Sequence, residues 1–152
     1  MPEHVPLAGS IPERLNDRPT WLISRAYARA TGLLKEGFAQ GGDGLRGYHY
    51  RLLAALEERG PASQAALGRG TGIDRSDVTA ALVELEERGL VERNVNPADR
   101  RRNVVSITAA GTERLEELDA VVDAIQERLL APLSAEERRQ FVTLIRRIAG
   151  DG

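Results

Sequence analysis

Three consecutive arginines, Arg100, Arg101 and Arg102, form the longest basic run in the 152-residue chain and follow Asn96-Pro97-Ala98-Asp99. Guanidinium groups clustered beyond a turn suit phosphate oxygens, or a narrow groove in which negative potential concentrates. Upstream, Arg75, Ser76, Asp77, Thr79 and Ala80 begin a segment whose apolar positions, Val78, Ala81, Leu82 and Leu85, share the opposite helical face. Such an end suits reading base edges: arginine toward guanine, the short hydroxyls toward a base edge or phosphate, alanine toward a thymine methyl. Ser63 and Gln64 open a second, shorter helix whose free N–H groups suit a phosphate. For each of these residues the alternative is an ordinary solvated cap.

Other chemistry is poorly supplied. The chain has no cysteine, so disulfides, thiolate metal sites and thiol catalysis are excluded. His4 and His49 are the two histidines, too few for an imidazole metal cage. There is no Gly-rich phosphate loop and no Gly-x-Ser-x-Gly elbow, and neither histidine has an evident catalytic partner, so an enzyme is not expected. No cofactor or metal is expected either. The net charge of −2 and pI near 5.8 do not advertise nucleic-acid binding. Residues 63–103 balance seven arginines against seven acids, so any such role depends on local arrangement. No run approaches the apolar length of a membrane span. The Pro-broken N-terminus has no apolar core of a signal peptide, which makes the cytoplasm the expected location.

The elements that must position these side chains follow from periodicity. Residues 1–19 read as a flexible tail broken by Pro2, Pro6, Gly9 and Pro12. Trp21 to Phe38 has helical spacing, and Gly41–Gly44 is a connection. Leu45 to Arg59 carries one stripe, Leu45, Tyr48, His49, Leu52, Leu53 and Leu56, and ends at Gly60-Pro61. Two helices follow, Gln64 to Arg69 and a longer one capped by Asp74 or Ser76 that runs to Arg88, joined by Gly70-Thr71-Gly72: a helix-turn-helix. Gly89 is the expected C′ residue.

The period then shifts to two over residues 90–95 and 103–108, a hairpin with the arginines at its tip. A helix from Ala109 to Leu130 carries a heptad-like seam, Leu115, Leu118, Val122, Ile125 and Leu129. Ser134 to Glu137 is a capping box that opens a last helix striped by Phe141, Leu144, Ile145 and Ile148. The fold expected is mainly α with a small β-hairpin wing. Residues 20–44 form an N-terminal helix and connection, 45–108 a winged helix-turn-helix and 109–150 C-terminal helices.

Over residues 20–149 the chain resembles the multiple antibiotic resistance regulator (MarR) family of transcription factors. The elements that carry the resemblance are Gly89-Leu90-Val91-Glu92-Arg93, then Asn96-Pro97-Ala98-Asp99-Arg100-Arg101, then Ser106-Ile107-Thr108-Ala109-Ala110-Gly111. Asp99 and Arg101 match the family's Asp-x-Arg, and Ile107, Thr108 and Gly111 its closing Leu/Ile-Thr-x-x-Gly. The resemblance implies that Arg101 enters the minor groove, that Asp99 holds the wing's shape and that Arg100 and Arg102 meet the backbone of double-stranded DNA. It also implies a homodimer built from the terminal helices. Taken alone, the seam on Leu115–Leu129 and the stripe on Phe141–Ile148 read as intramolecular core; only the resemblance favours a dimer.

Many members of the family release DNA when a small, often aromatic and anionic effector binds beside the first, second and fifth helices. The candidates here are Trp21, Arg25, Tyr48, His49 and Arg51. His49 sits on an apolar stripe, where a charged imidazolium is costly, so it reads first as a core or interface histidine and second as an effector contact. The function implied is a dimeric repressor released from a pseudo-palindromic operator by a small ligand. A winged-helix protein-interaction module without specific DNA binding is the alternative.

Overall fold

The structure, a computed structural model, describes residues 11–95, 98–99 and 103–150. Within the stretch read as tail, one helical turn, α1 (Glu13–Asn16), is closed by the Leu15 amide donating to the Pro12 carbonyl at 2.9 Å. A turn this local needs no apolar periodicity, so the sequence pattern does not announce it. Helix α2 (Pro19–Gly41) begins with proline, whose missing N–H costs nothing at that position. Only its second half is buried, at Leu33 and Phe38, whereas Leu22, Ile23 and Tyr27 are exposed.

Helix α3 (Gly47–Arg59) starts two residues later than Leu45 because Arg46 is extended and its N–H donates to His49 Nδ1 at 2.8 Å, capping the helix. Helix α4 (Gln64–Thr71) is capped by the Ser63 hydroxyl, which accepts from the Ala66 amide. Helix α5 (Arg75–Glu87) buries Val78, Ala81, Leu82 and Leu85, the stripe expected of it. Full burial of each of those leucines contributes about 2–3 kcal/mol as an upper bound. Gly89 ends the helix with φ +72°, a left-handed conformation that lets the Leu90 amide reach the Leu85 carbonyl at 2.9 Å.

The wing consists of strands β2 (Val91–Val95) and β3 (Asn103–Ile107), antiparallel, with Val91 opposite Ile107 and Val95 opposite Asn103. A third strand, β1 (Ala62–Ser63), pairs with the other side of β3, giving the order β1-β3-β2. Two residues are too few to show alternation, and the pairing becomes visible only in space.

Helix α6 (Ala109–Leu130) has Thr108 as its cap, and α7 (Ala135–Ala149) opens with the expected box: Ser134 Oγ accepts from the Glu137 amide and Glu137 Oε1 accepts from the Ser134 amide. The α6 seam is spent inside the subunit. Leu115, Leu118 and Ile125 join the single core with α2 and α3, and the close approach is visible at Gly37, where a β-carbon would strike the Ile125 side chain. Helix α7 buries no residue at all; Phe141, Val142, Leu144 and Ile148 are exposed.

Candidate nucleic-acid interface

The core stripe of α5 fixes what its other face presents. With Val78, Ala81 and Leu82 turned inward, Arg75, Ser76, Thr79 and Ala80 are exposed along the first turns, and Asp77 is half-buried. Thr79 serves two local roles. Its hydroxyl donates to the Arg75 carbonyl at 3.0 Å, and it accepts a short hydrogen bond from Gln64 Nε2, which joins the start of α4 to the outer face of α5. Gln64 and Thr79 are therefore held together as one polar unit, and the two helices present their N-terminal ends in a fixed relation.

Beside that unit lies a groove of about 770 Å³, lined by Ser63, Gln64, Arg69, Arg75 and Asn103, with no carboxylate among its lining residues. It brings together three of the expected contacts and adds two that sequence reasoning missed. Arg69 stands in the last turn of α4, and Asn103 opens β3 at the base of the wing. Nothing in the spacing of Arg69 marks it; only the turn between α4 and α5 carries it to Arg75. The arrangement offers two guanidinium groups, amide donors and a hydroxyl on one concave face, a donor set suited to phosphate oxygens and base edges.

Farther along α5, two glutamates are engaged by neighbouring elements. Glu86 accepts from Arg93 Nε at 2.7 Å, tying the helix to β2, and Glu84 Oε2 lies 2.9 Å from His49 Nε2, with Arg46 beyond at 3.9 Å. His49 itself is 2% exposed. Its Nδ1 accepts from Arg46, while its Nε2 meets Glu84 closely but without hydrogen-bond alignment. Burial is the largest influence on its pKa and lowers it from 6.5, against the opposite pull of Glu84. His49 is thus a neutral core residue joining α3 to α5. Of the expected wing residues, Asp99 is half-buried, whereas Arg100, Arg101 and Arg102 lie outside the described residues.

Known proteins match this architecture closely. A MarR family model matches residues 43–102, the helix-turn-helix and wing. The transcriptional regulator HosA of Escherichia coli O157:H7 is 33% identical over 99 residues, 65% of this chain and 73% of HosA. The chain belongs to the MarR family. Similarity to the HTH-type transcriptional repressor NicR of Pseudomonas putida extends over 147 residues at 29% identity, covering 97% of this chain and 91% of NicR. Among solved structures, a probable transcriptional regulator from Pseudomonas aeruginosa is 36% identical with a TM-score of 0.75, covering 89% of this chain and 99% of its own. BpsR of Bordetella bronchiseptica, whose DNA binding is regulated by 6-hydroxynicotinic acid, is 26% identical with a TM-score of 0.75, covering 93% and 98%. The chain is thus a DNA-binding MarR regulator with the winged-helix fold expected of it, and its relatives are transcriptional regulators rather than enzymes. None of the described helices is long and apolar enough to cross a membrane.

The MarR fold also encloses a second concave site. Helices α2 and α3 flank a cavity of about 600 Å³ with an apolar wall of Tyr27, Leu34, Phe38, Leu45 and Tyr48. Among the described residues three cations reach it, Lys35, Arg46 and Arg51, and no carboxylate lines it. The Arg51 guanidinium stacks over the Tyr48 ring, 5.5 Å from its centroid. Of the expected effector residues, Tyr48 and Arg51 line this cavity. Trp21 and Arg25 occupy the first turns of α2 and do not line it, and His49 is directed into the core. Lys35 and Arg46 were missed, because the chain's only lysine and a residue at the entry to α3 have no periodic signature.

Proposed function

We propose that this MarR regulator acts as a homodimeric repressor, binds a pseudo-palindromic operator in duplex DNA and releases it when a small aromatic carboxylate enters the α2–α3 cavity. The observation that carries the effector is the composition of that cavity, three cations over an aromatic and aliphatic wall. A planar anion satisfies both halves at once, with charge-assisted hydrogen bonds to the guanidinium groups and stacking on Tyr48. BpsR, regulated by a hydroxylated pyridine carboxylic acid, supports this class of ligand, and the repressor NicR supports the direction of control.

In this reading Ser63, Gln64, Arg75, Ser76, Asp77, Thr79 and Ala80 face the major groove and its backbone, Arg69 and Asn103 add phosphate contacts, and Asp99 with Arg100–Arg102 serves the wing. The homodimer uses the apolar face of α7, which finds no cover within the subunit; its exposed Phe141, Leu144 and Ile148 are costly to leave in water. Twofold symmetry then sets the two recognition helices about one DNA turn, roughly 10 bp, apart.

Fluorescence anisotropy with duplex from the gene's own upstream region, against a scrambled duplex over a salt series, tests the assignment. Selective binding that weakens steeply with salt, and that 6-hydroxynicotinate reverses, is the expected result. Equal, weak binding of both duplexes at low salt overturns it.

A further inference from the structure

Arg51 has two sets of partners, one in the effector cavity and one in the DNA-binding lobe. Its side chain lines the cavity and covers the Tyr48 ring. The same guanidinium donates through Nη1 to the Thr71 carbonyl at 3.1 Å. Thr71 is the last residue of α4, whose hydroxyl also donates back to the Leu67 carbonyl at 2.6 Å and whose successor, Gly72, turns the chain toward α5 with φ +67°. The last carbonyls of a helix lack intrahelical partners and carry the negative end of its dipole, so a cation there holds that end in place. Arg51 thus fastens the exit of α4, and with it the turn into the recognition helix, to α3.

We propose that Arg51 is the positioning residue that couples the cavity to the helix-turn-helix: an anion in the cavity recruits its guanidinium, the tie to Thr71 is lost, and the α4–α5 turn is released from α3. The inference rests on the reading of the cavity as a carboxylate site. A guanidinium can serve a carboxylate and a backbone carbonyl together only when both lie in its plane and on its separate N–H edges. Here the Tyr48 ring occupies one face and the Thr71 carbonyl one edge. A carboxylate bound over the cavity wall, out of that plane, offers a full charge against a partial one and draws the guanidinium away from Thr71. The free energy available to shift α4 is then the difference between those two interactions, which gives the ligand a differential affinity for the tied and untied states.

Hydrogen exchange in the full-length chain tests this with benzoate and its neutral isostere benzamide as probes, in wild type, Arg51→Met and the surface control Glu57→Gln. Methionine keeps the unbranched stem of the side chain without charge or donors. Without any ligand, Arg51→Met is expected to raise exchange over residues 67–73 several-fold, with Glu57→Gln matching wild type. Saturating benzoate is expected to produce the same rise in wild type, with no further rise in Arg51→Met and none with benzamide. Unchanged exchange in ligand-free Arg51→Met overturns the tie itself. Benzoate that binds wild type by calorimetry and leaves residues 67–73 unaffected overturns the coupling while sparing the cavity as an anion site. Benzoate that fails to bind at tens of millimolar overturns the cavity reading and the coupling with it, even where the ligand-free arm retains the tie.

Discussion

The Thr108 hydroxyl donates to the Gly89 carbonyl at 2.7 Å. The same oxygen accepts from the Gly111 amide at 3.0 Å, and the Thr108 amide donates to the Leu90 carbonyl at 3.1 Å. One residue thus caps α6 and grips the left-handed exit of α5, so the junction between α5 and the long helix is tied at a single threonine. Thr108→Val keeps the shape and removes the hydroxyl. It should destabilise the protein by about 1–3 kcal/mol, a lost N-cap plus a lost hydrogen bond. Urea denaturation checks this, and Thr108→Ser should recover most of the loss.

Gly111 lies under that cap. A β-carbon there would fall against the Leu90 carbonyl and the Ile107 side chain. Glycine to alanine inside a helix ordinarily stabilises by about 0.5–1 kcal/mol. At Gly111 the expected sign is reversed, a loss of about 1–3 kcal/mol from overpacking against backbone. Any gain in thermal midpoint for Gly111→Ala would contradict the close approach.

His49 links stability to pH. Its folded-state pKa lies below 6.5, chiefly because burial opposes the imidazolium, with Arg46 and Arg88 adding to that effect and Glu84 opposing it. A base whose pKa is depressed by folding contributes stability that is present above its unfolded pKa and lost as the pH falls below it. Wild type should therefore weaken as the pH drops from 7 toward 5. His49→Gln, which does not titrate, should show a shallower slope in that window, measured by denaturant titrations at each pH. Parallel slopes would remove His49 from the account.

Arg75 and Arg101 should separate readout from affinity. Arg75 is exposed at the head of α5, so Arg75→Ala should relax base preference at one position of each half-site, at a cost of about 1–3 kcal/mol there. Arg101→Ala should weaken binding to all sequences and reduce the salt slope by about one. Anisotropy on an operator and a panel of single-base variants distinguishes the two; a uniform loss for Arg75→Ala would argue against base contact.

The proposed dimer rests on α7. Leu144→Glu and Ile148→Glu place charges on a face that covers nothing within the subunit. Sedimentation should show a shift from dimer to monomer, with a helical circular dichroism spectrum retained because no core contact is touched. A wild-type chain that sediments as a monomer at micromolar concentration would remove α7 from the assembly.

Much of this protein is written in short-range pattern. The stripe on Val78, Ala81, Leu82 and Leu85, the capping box at Ser134 and Glu137, the exit at Gly89 and the period of each wing strand depend on residues within a few positions of one another, and all were legible because period and cap chemistry are local. Family membership was legible for the same reason: its motif is contiguous from Gly89 to Gly111. The tertiary structure decided the rest. It spent the α6 seam on α2 and left α7 bare, a choice that heptad spacing cannot make because it does not say which apolar face finds which. It set Gln64 against Thr79, His49 against Glu84 and Arg51 against Thr71, partners 15, 35 and 20 residues apart. It also gathered Lys35, Arg46 and Arg51 around one cavity. Those meetings depend on how helices cross, and the crossing is set by the volume and shape of the whole core rather than by any segment of the chain.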